Sequence, residues 1–238
     1  ALTLIKDDLN ISFSDTQLVL TLYFIFLALG QILSGPFSDK YGRKPILILG
    51  ATIYSISAFA ASYSSNIEIL LILRCIQGFG AAACLSVGRT ILSDCFEISE
   101  AAKQMSKMTA IMAIIPISCF IFGGFLAEFL GWRTNLIALG IISLTLIILM
   151  SLILQETLFN KAKSVSFKNV FLVYKGLVKN ISFNFFTITT AMQTSMFFAM
   201  NGFMPYEFER KGVSISEFGI WFSLTSVGYI LGNIINSK

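Results

Sequence analysis

The chain has 238 residues, 55% of them hydrophobic and only 13% charged, with a net charge of +4 and no histidine. Soluble domains carry roughly 25% charged residues, so this composition excludes an ordinary water-soluble domain and fits a chain solvated largely by lipid. The missing histidine excludes His-based metal sites, His general bases and Ser-His-Asp triads. The basic residues sit in short connections and form no continuous stripe, which excludes a nucleic-acid surface.

A membrane-spanning helix needs about 20 mostly apolar residues, with its backbone bonded internally. Seven runs meet this: 17–37, 46–65, 67–92, 108–130, 134–154, 181–204 and 218–236. The fold class expected is all-α, a polytopic membrane helical bundle. Residues 1–16 are polar and carry no signal-peptide design; Ser14 or Asp15 is the expected cap of the first span.

Between the first two spans lies G-P-F-S-D-K-Y-G-R-K-P, residues 35–45. This reads as a tight charged connection in which Gly42 turns the chain with positive φ and Pro45 enters the first turn of the next helix. The third span contains L-R-C-I-Q-G-F-G-A-A-A at 73–83. Arg74 is the one formal charge well inside an apolar run, and charge at depth is costly and usually faces a cavity or a partner. It either lines a central cavity or snorkels to the interface. Gln77 and Gly78 follow at i+3 and i+4, so they share its face.

The four cysteines, Cys75, Cys84, Cys95 and Cys119, form no C-x-x-C pair and read as small apolar helix residues. No metal and no cofactor is expected. Asp94 follows the third span about 30 Å of helical rise beyond Arg74, level with the 35–45 connection. Connection 155–180 is the longest and holds five lysines. Its pattern around Phe167, Val170, Phe171 and Tyr174 suggests either an amphipathic helix on the membrane surface or a solvated linker. Asn184, Gln193 and Asn201, with Asn233 in the last span, face a pathway or bond neighbouring helices. Tyr23, Phe24, Phe26 and Met112 offer apolar surface, for packing or for a greasy ligand.

Lysine and arginine set orientation. One set of connections holds twelve basic residues and the other holds four, Lys6, Arg133, Arg210 and Lys211. The 35–45 loop and the 155–180 linker are therefore expected in the cytoplasm and residue 1 outside; the Lys-, Asn- and Ile-rich composition points to a bacterial inner membrane.

Gly35, Asp39, Lys40, Gly42, Arg43 and Lys44 fill every fixed position of G-x-x-x-D-(R/K)-x-G-(R/K)-(R/K). In this the chain resembles the major facilitator superfamily of transporters. R-x-x-Q-G at Arg74–Gly78, G-G at 123–124, G-W-R at 131–133 and Q-E-T-L at 155–158 are similar to drug:proton antiporters, most like the bicyclomycin-resistance branch. The fifth-helix pattern departs from that group, with Ile115, Cys119 and Phe120 where Gly, Gly and Pro are expected; Pro116, one turn earlier, supplies a kink instead.

The resemblance implies helices two to eight of twelve. Residues 1–154 would be the N-terminal six-helix half without its first helix, 155–180 the linker, and 181–238 the first two helices of the second half. It implies proton-coupled efflux of small drugs, with lipid, drug and protons as partners and no enzymatic reaction. It makes Asp39, Arg43 and Asp94 a charge relay that latches the outward-facing state; a static surface ion pair is the alternative. It couples Arg74 to an acidic proton carrier on the first helix, and no Asp or Glu lies deep in the seven spans. A metabolite transporter of the same fold, and a truncated non-transporting remnant, are the competing readings. The isolated 238 residues are expected to transport little.

Overall fold

The computed structural model describes residues 2–158 and 167–236. The side chains of some helical residues, Pro116 and Asn233 among them, lie outside the described set. In chain order the helices are α1 (Leu2–Leu9), α2 (Phe13–Tyr41), α3 (Arg43–Ser62), α4 (Ile67–Cys95), α5 (Ile98–Leu130), α6 (Trp132–Ile153), α7 (Phe167–Lys179), α8 (Ile181–Arg210) and α9 (Ile215–Asn236). Among the described residues there is no strand. By length and composition α2, α3, α4 and α6 can each cross a membrane. The longer α8 is more polar, because threonines, Asn184, Gln193 and Asn201 interrupt its apolar run.

Apolar runs mark the depth a helix spends in lipid, not where the helix ends. The expected eleven-residue connection at 35–45 is therefore corrected: α2 continues to Tyr41, α3 begins at Arg43, and Gly42 alone joins them with φ 109°. A second single-glycine joint, Gly131 with φ 84°, links α5 to α6. A residue with a side chain is strained at such φ. Likewise α5 begins at Ile98, ten residues before the expected span at 108. The cap of α2 is Ser12 and not Ser14 or Asp15: its Oγ accepts the Asp15 backbone N–H at 3.1 Å, while Asp15 sits in the first turn and suits the helix dipole.

Helix α4 is the centre of the packing and lies against α2 and α3. Lipid gives helices no hydrophobic reason to associate, so close approach by small residues supplies the contact. Gly30 of α2 faces Ala82, Gly50 of α3 faces Ala83, and Gly78 lies against the Tyr23 backbone. Helix α6 joins α3 by serine hydrogen bonds, Ser55 Oγ to the Gly140 carbonyl at 2.9 Å and Ser143 Oγ to the Ala51 carbonyl at 3.0 Å. A small core of Ile5, Val19, Ala61, Leu70, Trp132 and Leu136 closes the end of the bundle near Gly131. It includes Ile5 of α1, a helix that the polar look of residues 1–16 concealed.

Gly80 tests this packing. A Cβ there would lie 2.7 Å from both the Gly50 carbonyl oxygen and the Tyr54 nitrogen, backbone atoms that cannot swing aside. Gly80→Ala is expected to cost about 1–3 kcal/mol, read as a lower melting temperature in detergent. Gly88→Ala on the same helix, where a Cβ meets nothing within 4 Å, is expected to be neutral or mildly stabilising.

Candidate functional site

Around Gly42 the structure brings residues from four segments together. Arg43 is 5% exposed. Its Nε donates to Asp94 Oδ2 of α4 at 2.8 Å, and its Nη1 donates to Asp39 Oδ1 of α2 at 2.5 Å and to Ser38 Oγ at 2.6 Å. A buried guanidinium is tolerated only when its charge and its N–H groups are answered; here two carboxylates answer the charge, and three of the N–H groups are bonded. Asp39 is i−4 to Arg43 across the joint, while Asp94 sits 51 residues away.

The backbone of the same arginine has its own partner. Gly42 caps α3 without a side chain to accept the first free N–H groups. Glu156, in the segment after α6, replaces that cap from 113 residues away. Its Oε1 accepts the Arg43 N–H at 2.8 Å and its Oε2 the Lys44 N–H at 3.3 Å, and Oε1 also takes the N–H groups of Thr157 and Leu158 at 3.0 Å. Partial burial raises the Glu156 pKa, and these backbone donors outweigh it, leaving the carboxyl below its ordinary range. A Cβ on Gly42 would collide with the Glu156 carboxylate, so this glycine serves both the turn and the cap.

The other residues of the motif are more peripheral. Lys44 Nζ donates to the Ser151 carbonyl at 2.8 Å, Lys40 lies over the Tyr41 ring, and a Cβ on Gly35 would meet open space. Sequence reasoning noticed Q-E-T-L but assigned Glu156 no task. The one local signal was an acid just past a span, with a glycine waiting at a helix start elsewhere.

Arg74 lies between α4 and α2. Its Nη1 donates to Gln77 Oε1 at 2.6 Å, its Nε reaches the Val19 carbonyl at 3.4 Å, and its guanidinium stands 4.3 Å over the Tyr23 ring. No salt bridge among the described residues involves Arg74. Gln77 is fully buried, and its Nε2 has no hydrogen-bond partner among the described residues.

At the far end, G-W-R closes a second cluster. Arg133 Nη1 donates to Asp8 Oδ2 at 2.6 Å and its Nη2 to the Ser64 carbonyl at 3.0 Å, while Trp132 Nε1 donates to the same carboxylate at 3.2 Å. The hydrogen bond from Arg133 holds the Asp8 carboxyl below its ordinary range. Asp8 was missed for the same reason as Glu156: its partner lies more than a hundred residues away, |i−j| 125.

Helices α8 and α9 meet the others along two seams. Gln17 Nε2 of α2 donates to the Gly202 carbonyl at 2.7 Å, with Phe24 against Phe198. On the second seam Gly124 of α5 lies against Gly219 of α9, Phe120 stacks edge-on to Phe222, and Glu128 Oε2 accepts the Ser216 N–H in the first turn of α9 at 2.6 Å. Gly123 turns instead to α6, its carbonyl accepting from Asn135 at 3.1 Å. Pro116 is within α5, with its side chain outside the described set, so the expected kink is not placed.

A bundle of long apolar helices joined by single-glycine turns, with a charge cluster at one of them and an arginine–glutamine pair within α4, has the architecture of a polytopic membrane protein. A family model for the Major Facilitator Superfamily matches residues 1–238, and the chain belongs to that family. It is 27% identical over 239 residues to the bicyclomycin resistance protein homolog of Haemophilus influenzae, covering 98% of this chain and 59% of the relative. It is 32% identical to an uncharacterized MFS-type transporter of Bacillus subtilis (97% and 58%) and 26% identical to a chloramphenicol resistance protein of Pseudomonas aeruginosa (97% and 54%). The chain thus spans under two thirds of the length of these relatives.

Removing the charged cap gives a direct check. Glu156→Gln is expected to lower stability by about 1 kcal/mol at neutral pH. A depressed native pKa stabilises above the unfolded carboxylate value of about 4.3 and loses that contribution as pH falls through the lower native value. Melting temperature should therefore fall less steeply on acidification in the variant than in the parent.

Proposed function

We propose that the chain is part of a proton-coupled exporter of small, mostly apolar drugs that works by alternating access. The observation that carries this reading is the Arg74–Gln77 pair: a cation inside a span without a carboxylate among the described residues, beside a buried amide with an unused donor. Such a pair is suited to receive a group that gains and loses negative charge, as an acidic proton carrier does. Drug and proton then compete for one cavity, and the inward proton gradient drives release outside. Two relatives, named for bicyclomycin and chloramphenicol resistance, suggest the substrate class.

The amides of α8 support an apolar cargo. Asn184 and Asn201 donate to the carbonyls of Val178 and Phe197, so these two spend donors on nearby backbone. In this reading Gly35, Asp39, Lys40, Gly42, Arg43, Lys44 and Asp94 form the switching element at the cytoplasmic face of an inner membrane, with residue 1 outside. The Arg43 cluster is formed here while the seams α2–α8 and α5–α9 are packed.

Proteoliposomes carrying the full-length transporter that contains this chain, with a pH-sensitive dye, test the proposal. Bicyclomycin or chloramphenicol is expected to drive proton movement opposite to the drug. Arg74→Gln should reduce it at least tenfold, and Asp39→Asn should reduce transport with membrane insertion intact. Drug movement with no accompanying proton flux would contradict proton coupling. Normal export by Asp39→Asn would contradict the switch.

A further inference from the structure

Helix α7 lies outside the bundle and is the feature that the transport reading leaves unused. Val170, Phe171, Tyr174, Leu177 and Val178 recur at helical spacing, so they share one face. Phe171 is 67% exposed and Val178 65%. The helix packs chiefly on α8. Its attachment is short: α7 ends at Lys179, α8 starts at Ile181, and Asn180 between them caps α8 by accepting the Phe183 N–H at 3.0 Å. Asn184 Nδ2 of α8 donates back to the Val178 carbonyl. α7 is thereby held at the level where α8 begins, which is the lipid-headgroup level if the run 181–204 crosses the bilayer as the sequence and the family membership imply.

Charge selects the occupant of the exposed face. Between Glu156 and Glu207 the chain has five lysines (Lys161, Lys163, Lys168, Lys175 and Lys179) and no acidic residue. Lys175 and Lys179 are i, i+4 and border the apolar face. A protein partner or a folded-over segment would need only the apolar stripe. An anionic lipid surface uses the stripe and the lysines together: side chains enter the acyl boundary, and the ammonium groups reach up to phosphate oxygens.

We infer that α7 is a membrane-surface helix that binds anionic phospholipid through its Val170–Val178 face and its lysines. The lipid anchors the connection between the helices before and after it, and so limits how far α8 can move against α6. This inference does not depend on which substrate is carried.

Hydrogen–deuterium exchange of the α7 amides tests it, with the whole chain in nanodiscs of phosphatidylglycerol or of phosphatidylcholine. Exchange at 170–179 is expected to be about tenfold slower in phosphatidylglycerol, consistent with attraction of each basic residue to an anionic surface. Lys175→Gln with Lys179→Gln should erase most of that difference and leave the amides of α8 unchanged. Equal exchange in the two lipids would overturn the inference. Equal protection in lipid-free detergent micelles would overturn it too, since another part of the protein would then be covering the helix.

Discussion

The buried guanidinium of Arg43 is the constraint on which the rest of the described bundle depends. Charge removed from water is acceptable only when paired and fully hydrogen-bonded. Here the pairing recruits Asp39 from α2 and Asp94 from α4, and the adjoining backbone recruits Glu156 from the segment after α6. Four segments of a chain with few charges are thus drawn to one point. Where α4 meets α2 and α3, and α3 meets α6, small residues and serine hydroxyls supply the packing.

The two single-glycine joints give this arrangement its shape. Gly42 and Gly131 each reverse the chain in one residue, and each is followed within two positions by an arginine that ties distant segments. One cluster sits at each end of the bundle: Arg43 with two acids, Arg133 with Asp8 and the Ser64 carbonyl. Between them α4 carries the Arg74–Gln77 pair, in helices that are otherwise mostly apolar among the described residues. Among the described residues Arg74 has no carboxylate partner, and because charge at depth is costly the proposed reading gives it a role that a surface arginine would not have.

Much of the fold was legible because lipid imposes a simple rule: long apolar runs are helices. The composition, the all-α class and the family followed from that rule and from the fixed spacing at Gly35–Lys44. Helix ends were less legible. The charged stretch 35–45 looked like a loop, yet a helix can continue past the end of its apolar run, as α2 does to Tyr41 and α5 does by starting at Ile98. The proximity of Asp94 to Arg43 was readable from helical rise, since both lie at span ends. Glu156 and Asp8 were not, because a cap or an ion pair across more than a hundred residues leaves no periodicity in the sequence.

The central claim is that Arg43 and the helix start it belongs to are held as one unit by Asp94 and Glu156. A double-mutant cycle with Asp94→Asn and Glu156→Gln, read as apparent unfolding free energy in one detergent, tests it most directly. Residues sharing a network couple by about 0.5–3 kcal/mol. The account predicts that the second substitution costs distinctly less once the first is present. Strictly additive losses would contradict it and reduce the cluster to two independent contacts.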